Sequence, residues 1–177
     1  MIKEILILFL LLATSLFSRG QDQTIQTQFP NIIEITFTST ETTSGDLVVM
    51  PFTTPASLGA GVTSFAEELK VNSNNNFNVS VSTNAANFTY TGSEIANTTM
   101  PVNKLSLSVT SNATGGSIGS GFQTPAFKPL GMASQSLITN GYAGTDQTFT
   151  IKYRATPGYN YAGGAYTVDV IFTATQP

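Results

Sequence analysis

Six stretches of this chain alternate apolar and polar residues with a period of two, and that pattern limits what it can fold into. Ile33, Ile35 and Phe37 alternate with Glu34, Thr36 and Thr38, and Phe77, Val79 and Val81 with Asn78, Ser80 and Ser82. The same holds for Phe88 and Tyr90, for Leu105, Leu107 and Val109, and for Phe149, Ile151 and Tyr153. The last run is Tyr166, Val168, Val170 and Phe172. A strand points successive side chains to opposite faces, so each run buries one face and wets the other. Half-buried strands of this kind belong to antiparallel sheets, and their β-branched and aromatic residues suit a pleated surface.

Turn chemistry separates the runs. Ser44-Gly45-Asp46, residues 72–76, Thr91-Gly92-Ser93, Asn140-Gly141 and Gly163-Gly164 read as turns. Residues 111–121, rich in Ser and Gly, read as a flexible loop. The only helix-like stretch is residues 64–69, where Glu67 and Glu68 follow Ser64 in a capping-box-like order. It is long enough for one turn and equally able to begin a strand. Many short strands at close intervals predict an all-β, antiparallel β-sandwich, Ig-like or Greek-key, of about 7–10 strands. A sandwich is preferred because two inner faces are needed to bury so many alternating rows.

The chain opens on an export signal. Lys3 charges a short n-region, residues 5–12 are unbroken apolar, and Ser18 and Gly20 are small enough for the −3 and −1 positions of a cleavage site. Residues 1–20 are therefore read as a signal peptide with an N-terminal signal helix, residues 21–30 as an extended arm, and residues 31–177 as a single β-sandwich domain. The apolar stretch is short for a bilayer span, which takes about 20 residues, and no integral membrane segment is expected once the signal is removed. The expected location is outside the cytoplasm: secreted, at the cell surface, or in a periplasm.

Composition removes several function classes. The chain has no Cys, His or Trp. Losing Lys3, Arg19 and Glu4 from seven basic and ten acidic residues leaves five and nine, a net charge of about −4. That balance argues against nucleic acid, whose phosphates call for clustered Lys and Arg. Hydrolytic triads and transition-metal sites lose their commonest side chains. The remaining carboxylates are Asp22, Glu34, Glu41, Asp46, Glu67, Glu68, Glu94, Asp146 and Asp169, scattered and in no Ca²⁺-loop pattern. Glu67-Glu68 reads as a solvated turn and Asp169 as an outward strand residue. The expectation is a protein that is not an enzyme, with no catalytic, cofactor-binding or metal-binding residues and no cofactor.

Asn-X-Ser/Thr triplets at Asn78, Asn87, Asn97 and Asn112 are read as chance in an Asn- and Thr-rich chain. Tyr142, Tyr159 and Tyr161 lie in or beside Gly/Pro-rich segments. Loop tyrosines can stack on sugar rings or anchor an interface. The simpler role, closing an end of the sandwich, is preferred. Tyr166, Val168, Val170 and Phe172 are assigned to the core.

Residues 76–82 with Asn87-Phe88-Thr89, Pro101-Val102-Asn103-Lys104-Leu105, and residues 164–174 together resemble the WxL family of bacterial surface domains. Both tryptophans of the family's Trp-x-Leu motifs would be Phe here, Phe77 and Phe172, and the paired leucines would be Val79 and Ala174. The terminal run also resembles the last strand of fimbrial and spore-coat-type β-sandwich subunits. The WxL resemblance implies an all-β domain held non-covalently on peptidoglycan.

These readings converge on a secreted, non-catalytic bacterial surface protein with a structural, adhesive or assembly role. Its expected partners are other surface proteins or further copies of itself, with the residue 21–30 arm able to add a strand to a neighbour's sheet. The alternative is a peptidoglycan- or glycan-binding WxL-like module.

Overall fold

The alternating runs pair as antiparallel ladders in two facing sheets. The computed structural model describes residues 25–177. Residues 1–20, read above as a signal peptide with a signal helix, and residues 21–24 of the arm lie outside the described residues. Met1–Pro30 forms a unit of its own, in which residues 25–30 have no regular secondary structure. The β domain is the second unit, Asn31–Pro177.

Its first sheet runs in the order β1 (Ile33–Phe37), β3 (Glu67–Ser73), β10 (Gly144–Ala155), β6 (Leu105–Asn112) and β8 (Lys128–Pro129). The short β2 (Val62–Thr63) also pairs with β10. The second sheet runs β12 (Val170–Thr175), β4 (Phe77–Thr83), β9 (Gln135–Gly141) and β7 (Ser117–Ile118). A separate two-stranded ladder joins β5 (Thr89–Thr91) to β11 (Ala165–Thr167). The chain crosses between the main sheets on every step from β6 to β10, so strands adjacent in a sheet are distant in sequence, as in Greek-key sandwiches rather than meanders.

The two inner faces make one core. Leu69, Val71, Leu107, Val109, Phe149 and Ile151 of the first sheet meet Phe77, Val79, Val81, Leu137 and Ile138 of the second, all fully buried. Each such side chain contributes about 1.5–3 kcal/mol through removal from water. Leu137 and Ile138 are neighbours in sequence yet both face inward. The β4–β9 ladder shifts register on either side of Val79, and such bulges break the simple alternation.

Several expectations need correction. Strands number twelve among the described residues rather than 7–10, because five of them are only two or three residues long and too short to show a period. Of the two readings open for residues 64–69, the start of a strand holds: β3 begins at Glu67. Among the described residues the one α-helix, α1, is Pro55–Ala60, with Pro at its start and the Thr54 side chain accepting from the Ser57 N–H at 3.3 Å. Residues 111–121 are a built loop containing β7, not a slack one. The Asn112 amide donates to the Gly116 carbonyl at 2.8 Å and accepts from the Thr114 hydroxyl at 2.7 Å, and Thr114 is fully buried.

The run at residues 166–172 is two strands in different sheets. Asp169 breaks it, exchanging hydrogen bonds with Asn84: Asn84 Nδ2 donates to Asp169 Oδ2 at 2.8 Å, and the Asp169 N–H donates to Asn84 Oδ1 at 3.2 Å. Val168, Val170 and Phe172 are therefore half-buried against the margin of the core. Tyr166 is half-buried but packs on Tyr90 and Tyr161 instead. Phe172 meets Phe37 edge-on at 6.0 Å, where β12 and β1 lie side by side.

Phe77 covers its cross-strand partner Gly141 so closely that a Cβ there would sit 2.5 Å from the ring. Phe77→Ala should cost about 3–5 kcal/mol in urea unfolding. Gly141→Ala should destabilise on its own yet be tolerated in the Phe77→Ala background. Strict additivity in the double-mutant cycle would show that the contact is not the reason for the glycine.

Candidate functional site

Five strand ends from both sheets converge on one end of the sandwich. Phe37 closes β1, Glu67, Leu105 and Val170 open β3, β6 and β12, and Tyr153 lies near the end of β10. Between them is a cleft of about 560 Å³, within the range of small-molecule sites. Its apolar lining includes Val48, Met50, Phe88, Leu105, Val168 and Val170. Its polar lining is Asp46, Glu67 and Asp169, the hydroxyls of Thr43, Ser44 and Thr167, and the two tyrosines Tyr153 and Tyr166. Among the described residues no Lys or Arg lines it.

Part of the wall is an extended strap, residues 45–53. Val48, Met50 and Phe52 turn inward and pack against the core, while Leu47 and Val49 are exposed. This is strand periodicity without a strand partner: residues 45–53 make no hydrogen bond to any described residue. Gly45 starts the strap against Phe37, where a Cβ would fall 2.9 Å from the ring.

Glu67 and Tyr153 both line the cleft. Counting back by two from Val71 and Leu69 puts Glu67 on the inner face of β3. The reading of Glu67-Glu68 as a solvated turn is thus corrected: Glu68 is exposed and Glu67 is half-buried in the cleft. Tyr153 is 7% exposed. Its backbone is fixed, the Tyr153 N–H donating to the Ser64 hydroxyl at 3.0 Å and its carbonyl accepting from the Ser64 N–H at 2.9 Å. Its own hydroxyl has no hydrogen-bond partner among the described residues. Burial pushes that hydroxyl well above the ordinary tyrosine pKa, and the Glu67 carboxylate adds to the shift.

The other singled-out residues are dispersed. Tyr142 lies beyond one end of the twelve-residue β10 and Tyr159 beyond the other, a strand roughly 36 Å long at about 3.3 Å per residue. Tyr142 covers Gly115 and Tyr159 lies against Gly59. Tyr161 meets Tyr166 edge-on at 6.5 Å, and the Tyr166 hydroxyl donates to the Ala162 carbonyl at 2.9 Å. Glu41 and Asp146 both pair with Lys70, at 2.8 and 3.8 Å. Among the described residues no three acidic side chains gather into a cation site. Asn78 and Asn112 use their amides within the fold, Asn78 accepting from the Asn140 N–H at 2.9 Å, whereas Asn87 and Asn97 are exposed. Phe77 is fully buried on β4 and Phe172 half-buried on β12, and Val79 and Ala174 are direct cross-strand partners. Among the described residues no helix is long and apolar enough to cross a membrane.

No protein-family model matches the chain, and no curated protein matches it.

The Tyr153 hydroxyl makes stability sensitive to alkali. Below the ordinary tyrosine value of 10.0 the group is neutral in both states and its contribution is intact. Above it the unfolded chain ionises while the folded chain keeps its proton, so stability falls as pH rises. Tyr153→Phe should remove that part of the decline and leave stability near neutral pH close to unchanged, since the hydroxyl makes no hydrogen bond in the fold that would be lost. Urea midpoints at about pH 8 and about pH 11 check this. A variant losing as much stability between them as the parent would contradict it.

Proposed function

We propose that this is an exported, non-catalytic bacterial surface protein that works by assembly or adhesion. One observation carries the reading: the two sheets end differently on their two flanks. On one flank the edges are β7 and β8, two residues each, the short edge that resists strand addition. On the other, β1 and β12 lie side by side with five and six residues. The Thr38 N–H donates to Glu68 O and the Asn84 N–H to Asp169 O. By alternation, the backbone groups of Ile33 and Ile35, and of Val170, Phe172 and Ala174, face away from their sheets. An open edge of that length is a template for a strand from another chain. The period-two residues Ile25, Thr27 and Phe29 of the arm suit that role.

A second reading, a glycan-binding module akin to the WxL domains, is favoured by the cleft and its mixed apolar and acceptor-rich lining.

Co-sedimentation separates the two. Purified exported chain is spun with and without insoluble peptidoglycan. Pelleting in both tubes supports self-assembly, and removal of residues 21–30 should then abolish it. Pelleting only with the glycan supports the second reading. A chain that stays in both supernatants counts against both.

A further inference from the structure

We propose that the cleft at the Tyr153 end of the sandwich binds a short, uncharged saccharide segment, with Tyr153 and Glu67 as its central hydrogen-bonding pair. The inference deepens the glycan-binding reading and rests on it.

Two independent observations point to a ligand. The first is the cleft, about 560 Å³ and open between the sheets. The second is the Tyr153 hydroxyl, on a side chain more than nine-tenths buried and without a partner in the fold. Its ring is held by burial while its hydroxyl lies at the cleft with no partner in the fold, so that hydroxyl is free to bond a ligand.

The lining selects the ligand's chemistry. Asp46, Glu67 and Asp169 are acceptors, so the ligand must donate. Among the described residues these acceptors do not gather into a cation site. Several donors at separate positions describe the hydroxyls of a sugar better than a single ammonium. The remaining lining, Val48, Met50, Phe88, Val168 and the ring of Tyr166, offers apolar surface to the C–H faces of pyranose rings. Entry needs no strand to unpair. The strap carrying Val48 and Met50 has no hydrogen bonds to break, so opening costs only the contacts of its inward side chains.

Methionine supplies the probe. Met50 lines the cleft, whereas Met132 is exposed outside its lining and Met100 is buried outside it. The exported chain labelled with [13C-methyl]methionine is titrated by NMR with cellobiose, maltose and N,N′-diacetylchitobiose, and separately with cadaverine as a cationic control. The expected result is a saturable shift of the Met50 methyl with at least one disaccharide, while Met132 stays still. Tyr153→Phe should weaken that affinity about tenfold, the size of one lost hydrogen bond in a buried site, with Glu67→Gln weakening it as a second variant. Tyr142→Ala, far along β10, should leave it unchanged. A Met50 signal unmoved by all three sugars overturns the proposal, as does a response to cadaverine alone or an affinity indifferent to both cleft variants. Glycan pelleting that persists while Met50 stays still would keep the glycan-binding reading and remove this cleft from it. Absence of both would remove the two together.

Discussion

The whole structure depends on one dry layer between two sheets. The domain has no disulfide to staple it, since the chain has no Cys, so cohesion comes from rows of Leu, Val, Ile and Phe facing one another. Fully buried Phe77, Phe122 and Phe149 are its largest members. Close packing makes that layer unforgiving: where Phe77 lies on Gly141 there is no room for a methyl group. The sparsely charged outer surface follows from the same arrangement, because each inward residue brings an outward neighbour that needs only to be polar.

Much of this architecture is legible from periodicity alone. Residues 77–81, 105–109 and 149–153 alternate cleanly, and they are the central strands β4, β6 and β10. What escapes is local and has physical causes. Strand β9 carries Leu137-Ile138 side by side, because a bulge rather than a pleat sets their direction. The run through Tyr166 and Phe172 keeps perfect alternation across a change of sheet. Its break comes from a pairing of Asp169 with Asn84, 85 residues away in sequence, which no local pattern can announce. The Ser/Gly segment at residues 111–121 looks slack by composition, yet the Asn112 amide and the buried Thr114 hydroxyl fix it from within.

The candidate site was less legible. Its central acid could have been found: Leu69 and Val71 set a phase that places Glu67 on the inner face, but an adjacent Glu68 disguises it as a solvated pair. Tyr153 reads as an ordinary core residue, and only the position of its unpartnered hydroxyl at the cleft distinguishes it. The loop tyrosines stand in glycine-rich surroundings, yet the glycines that Tyr142 and Tyr159 cover are distant from them in sequence. Gly115 lies under Tyr142, and Gly59 lies against Tyr159. Sequence shows which residues are present at a strand end, but the meeting of five strand ends is a property of the crossing chain.

The hydrogen-bond-free strap divides the domain into parts of different cooperativity. Paired strands must lose their ladders together, so their opening approaches the cost of unfolding the sandwich. Residues 45–53 share no ladder with anything described, and their attachment is the burial of three side chains, Val48, Met50 and Phe52. That attachment is almost purely hydrophobic, so it weakens on cooling while ladder hydrogen bonds do not depend on that driving force. The wall of the cleft and the body of the sandwich therefore answer to temperature differently.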